Sequence, residues 1–262
     1  MNHYSVISFG EYSAGINKSK SQSIKMVGQL FGLGYQYWKE VAEVLRSIIP
    51  IYDKVNMAIS LGKADKYRRK GINGNIYSGD RVLDAGSGFG NMSKIARNTT
   101  DQSLDIVLYD PLLRMLSSTR NFLPGSFHVS LASGVFEFMP FRGQVFDAVL
   151  CGYSLRDSIE LDSAIAEMHR ILKKKGLLVI VDLGKPDNRL VRAFVSFYLE
   201  YILTIIAFLV AGKPGLKFKT LHGTYKKWPR NSELYSLLCR HFSRVKFETG
   251  LMGAAIIVLA YK

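Results

Sequence analysis

The sequence predicts an α/β fold: a doubly wound, mostly parallel sheet of seven strands that ends in an antiparallel C-terminal hairpin. Three observations predict it. From Asp80 onward short β-rich runs alternate with helical patterns, as they do when parallel strands are joined by crossover helices. The runs are apolar almost throughout, as strands covered on both faces are. The last two, RVKFETG and AAIIVLAYK, are joined by a short glycine-containing link, which predicts the hairpin.

Residues 1–21 are rich in Gly, Ser, Asn and Lys and lack the apolar core of a secretory signal, so they read as a flexible leader. Over 22–75, apolar residues recur at three and four positions with Pro50 as a break, predicting a helical lid segment. The domain proper is expected over 76–262. Its strand runs are RVLDAG, DIVLYD, SFHVSLA, VFDAVLCG and GLLVIVDL before the final pair, and helices are expected at GNMSKIARN, PLLRMLSSTR, IELDSAIAEMHRILKK and NSELYSLLCRHF. A helical cap insertion is expected at about 187–229. Within it, AFVSFYLEYILTIIAFLVA is interrupted by Ser196, Glu200 and Thr204. The uninterrupted part is shorter than the roughly 20 residues a span needs, so a buried or membrane-grazing helix is predicted.

A chain of 262 residues, 48% of them hydrophobic, can bury one sizeable core. Two cysteines and five scattered histidines show no metal-ligand spacing, which predicts a metal-free, cytoplasmic protein. The net charge of +14, spread through runs such as KADKYRRK and ILKKK, implies either a solvated basic surface or attraction to an anionic partner. Nucleic acid, an anionic membrane face and an acidic substrate all meet that requirement.

In VLDAGSGFGNMSKIA, an acid (Asp84) and the loop Gly86, Ser87, Gly88, Phe89, Gly90 lie between a strand and a helix. Glycines there let the backbone turn tightly and approach a ligand at the helix N-terminus. The spacing is G-x-G-x-G, not the G-x-G-x-x-G of dinucleotide sites. About twenty residues on, the second strand ends on Asp110 and Pro111, where a carboxylate can take both hydroxyls of a ribose. This combination is similar to the cofactor site of class I methyltransferases, with their Rossmann-like fold, which bind S-adenosyl-L-methionine (SAM).

A closer resemblance is to one subgroup, the ubiquinone/menaquinone biosynthesis C-methyltransferases (the UbiE family). VLRSIIPIYDKVNMAISLG resembles that family's N-terminal helix with its Tyr-Asp-x-x-Asn core, here Tyr52, Asp53 and Asn56. FEFMPF resembles its acidic-apolar-Leu-Pro-Phe turn, and FDAVLCGYSLRDS its strand ending in Gly-Leu-Arg-Asn. AEMHRILKKKGLLVIVDLGKP, LHGTYKKWPRNSEL and LMGAAIIVLAYK follow in the family's order. There are departures. Val135 and Phe136 stand where an acid or amide followed by Ala usually reaches the adenine, Phe89 replaces a small hydroxyl residue, and Asp157 replaces Asn.

The resemblance implies a SAM-dependent methyltransferase acting on a prenylated quinol, with Tyr52, Val135, Phe136, Cys151 and Gly152 joining the loop residues around the cofactor. Arg156, Asp157 and Tyr153 are the candidate catalytic residues. Arg156 would stabilise a phenolate and Asp157 would accept its proton; the structural alternative is that Asp157 or Ser158 caps the following helix. His128 and His169 read as structural, and His222 as a solvated loop histidine more than a second base. The long apolar helix would face a lipophilic acceptor or graze an anionic membrane, a homodimer is compatible, and a nucleic-acid partner is not expected. Methylation of a phospholipid headgroup and a non-catalytic binding role are the competing readings.

Overall fold

The computed structural model describes residues 31–60, 62–100, 104–119 and 129–262. The expected leader, the start of the lid segment and His128 lie outside the described residues. Helix α1 (Tyr35–Ile48) ends at a 3-10 turn, Ile49–Ile51, carrying Pro50, and α2 (Tyr52–Ile59) and α3 (Lys63–Ile72) follow. Proline lacks the amide to continue α1.

Alternation then begins. Strands β1 (Arg81–Ala85), β2 (Asp105–Tyr109), β3 (Val129–Ala132), β4 (Phe146–Gly152) and β5 (Leu172–Leu183) alternate with α4 (Asn91–Thr99), α5 (Leu113–Thr119) and α6 (Leu161–Ile171). After β5 comes the cap: α7 (Arg189–Phe197), a π turn (Tyr198–Ile202), α8 (Leu203–Ala211), a 3-10 segment (Lys213–Lys219) and α9 (Thr220–Lys227). Helix α10 (Asn231–His241) and the hairpin β6 (Arg244–Gly250) and β7 (Ala255–Tyr261) complete the chain. The seven strands form one sheet in the order β3-β2-β1-β4-β5-β7-β6. β1 to β5 pair in parallel, and β7 runs antiparallel to both neighbours, as the sequence predicts. One boundary differs: β5 follows α6 directly through a segment where Lys175 has φ 65, and its continuous pairing with β4 starts only at Leu177.

The period-two alternation of strand side chains divides the core. Leu83, Val107, Val149, Cys151, Leu178 and Ile180 face α6 and α10 through Ile165, Met168 and Leu238. Val82, Ile106, Leu108, Leu150 and Val179 face Ile72, Met92 and Ile95 of α3 and α4. Each such buried aliphatic side chain contributes about 1.5–3 kcal/mol.

The cap and lid share a third cluster, in which Ile48 and Val55 meet Val195, Leu199, Leu203, Ala207 and Phe218. The cap helix, expected as buried or membrane-grazing, is buried along one face and leaves Leu190, Phe194 and Leu209 exposed. One expectation changes here. His222 is no solvated loop residue: it is buried on α9, with Nε2 2.8 Å from Ser196 Oγ and Nδ1 3.8 Å from Glu200 Oε2.

Candidate active site

The order in which strands are added to the sheet reverses between β1 and β4, and ligands of open α/β sheets bind at the carboxyl end of such a switch point. A cavity of about 200 Å³ lies there, roofed by α1, α2 and the cap.

The glycine loop forms its base. Gly86, Gly88 and Gly90 have φ of 66, 52 and 71, a region open to glycine at little cost. A Cβ on Gly86 would lie 2.5 Å from Ser154 Oγ, so the close approach also requires glycine. Asp84 braces the loop from below, its Oδ2 accepting from Ser93 N at 3.0 Å and Ser93 Oγ at 2.7 Å. Asp110 braces it from the side. Its Oδ2 accepts from Gly88 N at 2.9 Å and its Oδ1 from Leu112 N at 2.8 Å. Both oxygens expected to hold a ribose thus already accept one backbone amide, and each retains lone-pair capacity for a second donor. Burial pushes both carboxyls up to about 6 against their hydrogen bonds.

The floor is formed where β4 ends. Tyr153 adopts φ 61, uncommon for a residue with a Cβ, and is pinned by its amide to Val181 O at 2.7 Å. Burial pushes its phenol up to about 12. In the 3-10 turn Leu155–Asp157 that follows, Arg156 is 7% exposed. Its Nη1 donates to Asp182 Oδ1 at 2.5 Å, while its Nε lies 4.0 Å from Asp157 Oδ1. Burial opposes the guanidinium charge, but Asp182 and Asp157 outweigh it and raise the pKa above the ordinary arginine value. Burial, reinforced by Asp182, holds Asp157 up at about 6 despite the charge of Arg156 and a hydrogen bond from Thr224. Neither Asp157 nor Ser158 caps α6: that position is Glu160, without a side-chain cap bond. Tyr52 is hydrogen-bonded to Asn56 and packs between Phe89 and Phe218, at ring distances of 6.1 and 6.2 Å.

The expected residues thus converge. Tyr52, Ser87, Gly88, Phe89, Pro111, Val135, Phe136, Gly152, Tyr153, Arg156 and Asp157 line the cavity with Asp84, Gly86 and Asp110. Gly90 and Cys151 do not. Gly90 sets the turn into α4, and strand alternation aims Cys151 into the core with Val149, where burial raises its thiol pKa. Val135 leaves its carbonyl to Tyr109 Oη at 2.8 Å.

Four residues were missed. Asp182 is the main partner of Arg156, and the signal was present: GLLVIVDL ends on an acid one strand away. Thr224 reaches Asp157 from the cap. Glu137 binds the amides of Ile159 and Glu160 through Oε1 at 2.8 and 3.1 Å. Arg68, which the sequence groups with a basic surface, turns inward over the Tyr153 ring at 4.9 Å.

Among the described residues, four buried polar atoms of cavity-lining side chains have no hydrogen-bond partner: Arg68 Nε, Ser87 Oγ, Glu137 Oε2 and Arg156 Nε. A Cβ on Gly88 would meet nothing nearer than Met115 Sδ at 3.9 Å, so the loop backbone is open to the cavity. A guanidinium, a hydroxyl and paired carboxylates around such a loop fit SAM, whose amino-acid end carries both charges and whose ribose offers two hydroxyls.

Residues 34–262 match the model of the ubiE/COQ5 methyltransferase family. The ubiquinone/menaquinone biosynthesis C-methyltransferase UbiE of Geotalea uraniireducens is 28% identical over 204 residues, 76% of this chain and 86% of its own. The demethylmenaquinone methyltransferase of Bacteroides fragilis is 26% identical over 229 residues, 86% and 93% of the two chains. That of Renibacterium salmoninarum is 30% identical over 196 residues, 74% and 80%. Among solved structures, a SAM-dependent methyltransferase of Thermotoga maritima has a TM-score of 0.59 at 16% identity, covering 85% of this chain and 99% of that one. A phosphoethanolamine N-methyltransferase of Haemonchus contortus has a TM-score of 0.52 at 17% identity, covering 69% and 38%. These two likenesses concern the fold alone. The family match runs from the residue before α1 to the end of β7 and beyond, through lid, loop, floor and cap alike: the chain belongs to the ubiE/COQ5 methyltransferase family and is a SAM-dependent methyltransferase.

Proposed function

We propose that the enzyme C-methylates a prenylated quinol precursor of the menaquinone or ubiquinone type. The observation that carries this reading is the buried Arg156–Asp157 pair, held by Asp182 on the chamber floor beneath the apolar side chains of lid and cap. A quinol ring carbon is a weak nucleophile until its neighbouring phenol is deprotonated, and phenols titrate near pH 10, about 10 in unperturbed form. Arg156 stabilises the phenolate as it forms, and in a dry site that contribution is large. Asp157 accepts the phenolic proton; its carboxyl at about 6 leaves it ionised at neutral pH and basic enough to act. SAM, when bound, supplies an electrophilic methyl group on a sulfonium. The walls do the positioning: Leu45 of the lid, Leu199 and Leu203 of the cap and Leu221 of α9 line the chamber. A smaller cavity of about 50 Å³ continues from Arg156 and Asp157 between α1 and Phe218, lined by Val41, Val44 and Ile48 together with Asn56, Lys217 and Thr220, and marks the side on which a prenyl tail would leave the chamber.

In the same reading Arg68, Ser87 and Asp110 hold SAM, with Arg68 taking its carboxylate. Arg68→Ala is expected to raise the SAM Kd by about ten- to a hundredfold, the effect of losing a charge-assisted hydrogen bond; an unchanged Kd by calorimetry would remove Arg68 from the cofactor site. The enzyme works on the cytoplasmic side, in peripheral contact with an anionic membrane that holds its acceptor.

Phospholipid N-methylation is the competing reading. The test supplies labelled methyl donor with extracted quinols and phospholipids. Label is expected in the quinol fraction, on ring carbon; label in phospholipid alone would overturn the proposal.

A further inference from the structure

The cap helix has two apolar faces with different surroundings. Leu199 and Leu203 line the active-site chamber, and with Val195 and Ala207 they pack on the lid. On the opposite side Leu190, Phe194, Phe197, Tyr201, Ile205 and Leu209 are all exposed, Leu190 at 81%, Phe194 at 67% and Leu209 at 76%. Their spacing of three and four residues draws one stripe along the helix, roughly 30 Å long at 1.5 Å per residue. No carboxylate stands in it: Glu200, the acid of this helix, turns inward toward His222. Such a surface exceeds what a water-facing helix carries singly.

We infer that this stripe is a membrane-docking surface that lies flat in the interface of an anionic bilayer, making the cap helix the wall between lipid and the active-site chamber. The inference deepens the reading of peripheral membrane contact and rests on it. Charge complementarity selects the occupant. Exposed Arg189 stands at one end of the stripe and exposed Lys213 and Lys219 at the other, placed to reach anionic headgroups as the apolar face enters. A second copy of this chain fits poorly, since any pairing of stripes sets basic end against basic end between chains of net charge +14. By length and composition Arg189–Ala211 is also long enough to cross a bilayer. Crossing would pull Leu199, Leu203 and Ala207 out of their cluster with Val55 and Ile48, so the helix lies on the surface. The π turn at Tyr198–Ile202 falls where the inner face lines the chamber; such turns concentrate at functional positions.

The test is co-sedimentation of the full chain with mixed phosphatidylcholine–phosphatidylglycerol vesicles and with pure phosphatidylcholine vesicles, neither containing acceptor. The wild type is expected to bind the mixed vesicles, less so at high salt, and to bind the neutral ones weakly. Phe194→Gln, Ile205→Gln and Leu209→Gln together are expected to lower that binding by about tenfold or more, while SAM affinity, which reports folding, is unchanged. Lys213→Glu with Lys219→Glu is expected to abolish the preference for the anionic vesicles. No binding by the wild type, equal binding by the apolar variant, or a wild-type dimer that this variant dissociates would each overturn the inference. Turnover of a short-tailed, water-soluble quinol, measured in parallel, reports the proposed reaction separately from docking.

Discussion

Arg156→Ala is expected to lose about 3–5 kcal/mol of stability, the cost of leaving a buried partner charge uncompensated, and about a hundredfold or more in kcat through loss of phenolate stabilisation. Asp182 is the reason for the first effect. Its side chain is fully buried, Oδ1 accepts from Arg156 and from Leu183 N at 2.8 Å, and Oδ2 has no partner. Without the guanidinium that carboxylate has no counter-charge. The two effects separate in a double variant: Arg156→Met with Asp182→Leu is expected to recover most of the stability, because apolar replacement of a whole buried pair is often neutral, yet to remain inactive. Chemical denaturation and turnover on the same samples give both readings. A double variant that regains activity with stability would show Arg156 to be structural.

Asp157→Asn is expected to lower kcat/KM by about a hundredfold or more, the usual worth of a positioned proton acceptor, with little loss of stability. The pH profile supplies the sharper check. A base acts only when deprotonated, so with its carboxyl held up at about 6 the wild-type kcat/KM should fall as pH drops through that range. Asp84 and Asp110 are held near the same value by burial and contribute to the same limb. The diagnostic is therefore steepness: the acid limb of Asp157→Asn should lose one proton's worth of slope. An unaltered limb would assign the titration to the loop carboxylates alone.

Strand–loop–helix motifs were legible because their chemistry is local. Gly86, Gly88 and Gly90 need positive φ wherever that loop forms, and Asp84 and Asp110 end strands whose apolar runs announce them. The hairpin was legible from the shortness of its link. The pairing of Arg156 with Asp182 was not, since it depends on β4 and β5 lying side by side with Gly152 opposite Val181, a register that joins residues 26 apart in sequence. Arg68 was hidden for a related reason: in KADKYRRK every basic residue looks alike, and only the packing of α3 on α4 turns one of them toward Tyr153. The family resemblance placed Cys151 with the cofactor, whereas period-two alternation sends its neighbour Gly152 to the cavity instead.

The most direct test of the central claim is the mass of the quinone pool in cells lacking this protein. A quinone lighter by one methyl group at the ring is expected to accumulate, with the full mass restored by the wild-type chain and not by Arg156→Ala. An unchanged quinone pool, accompanied by under-methylated phospholipid headgroups, would contradict it.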